Sequence, residues 1–317
     1  MMRFLFRLIL LFLVPASALA TETNAVVVTI KPLHSLVQGV MGETGKATLL
    51  ISGTASPHGF SLKPSQVRGL QDAAVVFYID GSFESFLKNA LAALPERVRK
   101  VSLSHAKGVE LLARREGGAW EEDDHGHEHG HSHAHGVTDD HGTEADNLHL
   151  WLDPVNAIMI TRAIAAELGR LYPENQPLYV QNAENQIARH EILDAELRTR
   201  LAPLQDKPYI VLHDAYPYFE SRYDLQPVGS LTLEPDAPAS AKKLKEIRLK
   251  IQETGAVCIF REPQFDDRLL QTAAEGLPVR LGTLDPLGAT LDAGPDLYVE
   301  LMNALAHNLT DCLQDPS

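Results

Sequence analysis

A repeated alternation constrains this chain most: short β-branched apolar runs, each followed by a stretch of helical spacing, occur in the first hundred residues and again beyond residue 208. Such alternation predicts parallel sheets covered by helices on both faces. Residues 25–30, 46–52, 73–79 and 101–103 read as strands in the first half. Helical spacing starts at Pro32 and Pro64, where proline suits a first turn, and runs again over 83–94. In the second half, 209–212, 226–231, 257–260 and 279–284 read as strands, with helices over 215–223, 240–253, 266–275 and 296–313.

Two longer helical patterns lie between these halves. Over 154–171, Val155, Ile158, Met159, Ala163, Ile164 and Leu168 fit one buried face, and after Pro173 the spacing continues through Leu178, Ala183, Ile187, Ile192, Leu193, Leu197 and Leu201. At ~1.5 Å per residue the second helix extends about 40 Å, the width of a small domain. It therefore reads as a rod joining two lobes. The expectation is an α/β protein with two four-stranded parallel sheets flanked by helices: lobe 21–173, connecting helix 174–203 and lobe 204–317. A chain of 317 residues, 44% hydrophobic, has room for two such units.

Three features set the compartment and the partners. Arg3 and Arg7 precede an apolar run to Val14, and Ala18-Leu19-Ala20 supplies small residues, so 1–20 reads as a secretory signal cleaved after Ala20. Its loss moves the formal net charge from −14 to −16, a balance that argues against nucleic acid and suits cations. Cys258 and Cys312 are the only cysteines, and in an exported chain they suggest a structural disulfide, with a two-cysteine zinc site as the alternative. Such a bridge would staple the last helix to a strand of the second sheet.

Residues 121–141 interrupt the alternation with seven histidines, His125, His127, His129, His131, His133, His135 and His141, among seven carboxylates and no lysine or arginine. This composition cannot form an apolar core and predicts a disordered loop with many weak, interchangeable metal geometries. A selective site is expected elsewhere. His58, His149 and His213 each lie at the end of a strand-like run or in the loop after it, or open the second half, and Asp285 follows 279–284. Ligands of parallel α/β sheets gather at the carboxyl ends of strands, so these four side chains are expected to converge between the lobes. Imidazole and carboxylate together suit tetrahedral zinc, whereas manganese favours more oxygen. His34, His105, His190 and His307 lack this placement and read as surface or capping residues.

The motifs Ile30-Lys-Pro-Leu33, Ser56-Pro-His-Gly-Phe-Ser-Leu-Lys-Pro-Ser65, the segment from His149 to Asn156, Leu212-His-Asp-Ala-Tyr216, Glu262-Pro-Gln-Phe265 and Leu284-Asp-Pro-Leu-Gly288 carry a resemblance. The chain resembles the periplasmic zinc receptors of ATP-driven (ABC) importers, the ZnuA-like members of the cluster A-I metal-binding solute receptors. That resemblance implies two α/β lobes joined by a long helix, with Zn²⁺ bound between them by His58, His149 and His213. It places Asp285 on or near the metal, leaving Asp285, water or another carboxylate such as Glu84 for the fourth position. Related manganese receptors carry glutamate where this chain has His213, which favours zinc. The implied protein is a non-catalytic periplasmic monomer that captures zinc for a membrane permease, and its 121–141 loop collects metal. The alternatives are a manganese or broad divalent-metal receptor, an adhesin, and a zinc hydrolase; no His-Glu-x-x-His pattern supports the last.

Overall fold

The computed structural model describes residues 26–115, 146–232 and 241–314. The leader 1–20 with its cleavage position, and segment 121–141 with its seven histidines, lie outside them.

In the first half β1 (Val26–Val28), β2 (Thr48–Leu49), β3 (Val75–Tyr78) and β4 (Arg99–Ser102) form a parallel sheet in the order β2-β1-β3-β4. The three valines of β1 are buried, as an inner strand covered on both faces requires. Around this sheet lie α1 (Lys31–Met41), α2 (Pro64–Asp72) and α3 (Lys88–Ala92). The 83–94 region is a 3₁₀ turn, Ser85–Leu87, followed by the short α3 rather than one continuous helix. Glu84 causes this: its buried carboxylate accepts the backbone N–H groups of Ile79 and Asp80 and ties the chain back to the end of β3. An antiparallel pair, β5 (Leu112–Ala113) with β6 (Asp146–Asn147), joins the described ends on either side of 116–145. Two residues per strand give no readable alternation, so the sequence offered no signal for it.

Next come α4 (Pro154–Leu171), capped by the Asp153 carboxylate on the Val155 N–H at 2.8 Å, and α5 (Gln176–Leu201). Along α5 the buried stripe is Tyr179, Ala183, Gln186, His190, Leu193, Leu197 and Leu201. Leu178 and Ile192, expected on that face, are instead 43% and 60% exposed. The helical period runs through two polar residues here, and each is accommodated by its contacts. Gln186 donates to the Leu36 carbonyl of α1. The His190 ring packs 4.7 Å from that of Tyr298. His190 and His34 are therefore buried, not surface residues. His34 Nε2 lies 3.1 Å from the Ala47 carbonyl.

The second sheet contains β7 (Tyr209–His213), β8 (Pro227–Thr232), β9 (Cys258–Arg261) and β10 (Arg280–Thr283), parallel and ordered β10-β9-β7-β8. Taken in chain order, both sheets place the first and third strands at the centre. Helices α6 (Pro217–Tyr223), α7 (Ala241–Thr254), α8 (Arg268–Ala274) and α9 (Leu297–Leu313) accompany it. Cys258 on β9 and Cys312 on α9 are joined by a disulfide, with Cα atoms 6.1 Å apart. One apolar core runs from β1 and β3 through α4 and α5 to β7, β9 and α9. A smaller cluster lies beneath β8, α7 and α8. The described residues contain no helix long and apolar enough to cross a membrane.

Candidate metal centre

In a parallel sheet the central strands end at the point where the chain order reverses, which opens a crevice beyond their carboxyl ends. His213 is the last residue of β7, and Glu262 directly follows its neighbour β9. His149 caps the 3₁₀ turn Leu150–Leu152, and His58 lies in the turn between β2 and α2. The structure brings these three histidines together: one ring nitrogen from each lies within 4.8 Å of the other two. The ring centroids are 5.1 Å apart for His149 and His213 and 5.6 Å for His58 to either partner. Phe83, Trp151 and Phe265 surround them edge-on or tilted, at centroid distances from 5.1 to 5.9 Å. Between these rings lies a cavity of about 10 Å³, the scale of a single ion or water.

Hydrogen bonds fix which nitrogens are available. His213 Nδ1 donates to Glu262 Oε1 at 2.7 Å, and His149 Nδ1 donates to Asn147 Oδ1 at 3.0 Å, because both oxygens are acceptors. Each ring then presents a bare Nε2, and these two nitrogens face each other at 3.2 Å. Two lone pairs at that distance repel unless a cation lies between them. Ligand atoms at ~2.0–2.1 Å on a tetrahedral ion stand about 3.3–3.4 Å apart, close to the observed separation. Burial holds His58 neutral, its pKa lowered to about 3 with help from the nearby Arg114 charge. Burial likewise pushes His149 well below the usual imidazole range. Neutral imidazole is the ligating form.

Asp285 stands apart from this group. Its carboxylate accepts from Gln264 Nε2 at 2.7 Å and from the backbone N–H groups of Leu287 and Ala289 at 3.1 and 2.6 Å. Asp285 follows β10, an edge strand, whereas Glu262 follows β9 beside β7. Strand order thus sets the carboxylate after β9 against His213. Glu84 Oε2 accepts from the Ile79 and Asp80 N–H groups, and burial raises its carboxyl to about 8. Asn147 and Glu262, which orient two of the rings, had no role assigned from sequence, though both lie in or beside motifs that carry the resemblance. Their partners become apparent only once β7 and β9 are neighbours. His105 and His307 are exposed, beside Asp80 and Asp311.

A further set of contacts supports the two buried histidines. Asn147 Nδ2 donates to the Asp214 carbonyl, and Tyr218 Oη donates to the Asn147 carbonyl, both at 2.6 Å. The Arg115 guanidinium reaches Asp214 Oδ1 at 3.2 Å and Glu220 Oε2 at 2.6 Å. Residues from the first half are thereby tied to the backbone next to His213.

Residues 26–312 match the model of a family described as ZnuA, zinc-uptake complex component A, periplasmic. Among curated proteins, the high-affinity zinc uptake system protein ZnuA of Brucella abortus (strain 2308) is 42% identical over 313 residues, covering 94% of each chain. The protein of the same description from Yersinia pestis is 35% identical over 295 residues, covering 92% of this chain and 91% of its own. A crystal structure of ZnuA superposes with a TM-score of 0.75 at 23% identity, covering 92% of this chain and all of that one.

Proposed function

Since the chain belongs to the ZnuA family of periplasmic zinc-uptake components, we propose that it captures Zn²⁺ in the periplasm and delivers it to the membrane permease of an ABC importer. One observation carries this reading: the Nε2 atoms of His149 and His213 converge at 3.2 Å with both Nδ1 atoms already committed to Asn147 and Glu262. His58, His149 and His213 are the ligands in this proposal, and Asp285 supports the site at one remove by holding Gln264, which lines the ion-sized cavity. Three nitrogen donors with no carboxylate among them favour zinc over manganese.

The protein acts as a monomeric, non-catalytic carrier after signal cleavage at Ala20, with lobes 21–173 and 204–317 flanking helix 174–203. Segment 121–141 contributes weak accessory sites through its seven histidines. The carrier reading is supported by the enclosure of the three rings, which leaves only ion-sized space at the centre. Titration of metal-free protein with zinc against a chromophoric chelator tests it. One tight equivalent that disappears in His149→Ala is expected; an affinity unchanged by that substitution would overturn the ligand set.

A further inference from the structure

A basic cleft of about 750 Å³ lies between the edge strand β4, the loop that follows it and α4, and it shares no lining residue with the ion-sized cavity. Arg99 and Lys100 enter it from β4, Lys107 from the loop, and Arg162 and Arg170 from α4. All five are exposed. Among the described residues Glu167 is the only carboxylate in its wall, and Arg99 and Arg170 share it at 3.0 and 2.7 Å. Such an excess of cations runs against the rest of the chain, whose formal net charge is −14.

Protection of a sheet edge explains the charges on β4, because lysine and arginine there deter pairing with another chain. It does not explain Arg162 and Arg170, which project from a helix, or Lys107. The floor has a different character: Val101, Met159 and Ala163 are half-buried and apolar. Gly108, at φ +89°, brings the loop down onto this floor, since a Cβ there would lie 3.0 Å from Met159 Sδ. The cleft thus joins a cationic rim to an apolar floor. A free phosphate would leave the floor in water, and the acidic segment 121–141 has only Ala134 and Val137 to set against it. An anionic phospholipid satisfies both parts, with its phosphate diester on the rim and its glycerol and first methylenes on the floor.

We propose that this cleft binds the headgroup of an anionic phospholipid and so turns one face of an otherwise acidic carrier toward the membrane. The inference rests on the reading of the chain as a carrier that serves a membrane importer. Vesicle flotation tests it with the full mature chain at low ionic strength. The chain is expected to float with vesicles of equal parts phosphatidylcholine and phosphatidylglycerol, and not with phosphatidylcholine alone. Replacing two rim cations together, Lys107→Gln with Arg162→Gln, should weaken that binding about thirtyfold, the scale of two basic residues at an anionic surface. The pair Lys242→Gln with Lys245→Gln removes the same charge from α7, where both lysines are exposed, and should float like the parent. Inorganic phosphate, added at constant ionic strength, should not displace the chain. Failure to float, equal flotation with both vesicles, or a rim variant that floats like the parent would overturn the proposal. Equal loss in the α7 pair would overturn it in favour of overall charge, and displacement by phosphate in favour of a free-anion site. Zinc titration of the parent and of both variant pairs keeps the two readings apart: a chain that floats as expected but holds no tight zinc would remove the receptor reading alone, whereas tight zinc without flotation would remove only the lipid site.

Discussion

His213 illustrates how much one position decides. It ends β7, donates through Nδ1 to Glu262 and turns Nε2 toward His149. His213→Ala should lower zinc affinity by more than about 100-fold, beyond the ~10–100-fold characteristic of outer-shell partners. Glu262→Gln should fall within that outer-shell range, because the ring stays but its orientation weakens; a competition titration separates the two. Protons compete with zinc for the imidazoles, so zinc affinity should fall below about pH 6, and binding unchanged between pH 7.5 and 5 would contradict histidine ligation. His190 gives a pH effect away from the metal. Burial lowers its pKa to about 4, so as pH falls from 6.5 the unfolded chain takes up a proton before the folded one does. Stability from this group is complete above pH 6.5 and is lost as pH falls toward 4, by up to about 3 kcal/mol. His190→Gln should therefore flatten the pH dependence of urea unfolding across that window, and an unchanged slope would contradict the assignment. The strand-end histidines were legible because position along an alternating chain locates them. Glu262 was not, because its role depends on which strands are neighbours.

At the scale of elements, α4 and most of the second-half strands and helices fall within a residue or two of the sequence expectation, since long periodic patterns and proline starts mark them. The 83–94 region departed from it because the Glu84 side chain competes for the backbone at the end of β3. The α5 stripe departed because Gln186 and His190 occupy buried positions that a purely apolar reading assigns elsewhere. The junction of β9, β10 and α9 gives a direct test. The Cys258–Cys312 bridge spans 54 residues of chain, for which chain entropy gives about 4 kcal/mol. Replacing both cysteines by serine should lower unfolding stability by that order, measured in denaturant under oxidising conditions. At Gly282 on β10 a Cβ would lie 2.4 Å from the Phe260 ring and 3.1 Å from Cys312 Sγ. Gly282→Ala should cost about 1–3 kcal/mol through overpacking, and a neutral result would show that this junction is looser than described.

Across the whole molecule the same strand order occurs twice, and contacts between the halves bracket the centre from two sides. Arg115 reaches Asp214 and Glu220. On the other side, Lys31 Nζ donates to the carbonyls of Gly288, Ala289 and Leu291 at 2.8 to 3.1 Å. The motifs around Lys31 and Asp285 were legible as a family resemblance, but their mutual contact was not, because it joins residues more than 250 positions apart. With α5 packed on α1, α4 and α9, large hinge closure is disfavoured, and metal should mainly order the loops around the cleft. Hydrogen exchange should slow at the His58 and His213 loops on zinc addition and change little along α5; equal exchange in those loops with and without zinc would contradict this. The central claim, a dedicated zinc site between two lobes, is tested most directly by titrating the metal-free mature chain lacking 121–141 with zinc and manganese in competition. One tight zinc site that withstands excess manganese and disappears in His213→Ala is the predicted result. Absence of any tight site once that segment is removed would contradict the account, because the histidine-rich segment would then itself be the receptor.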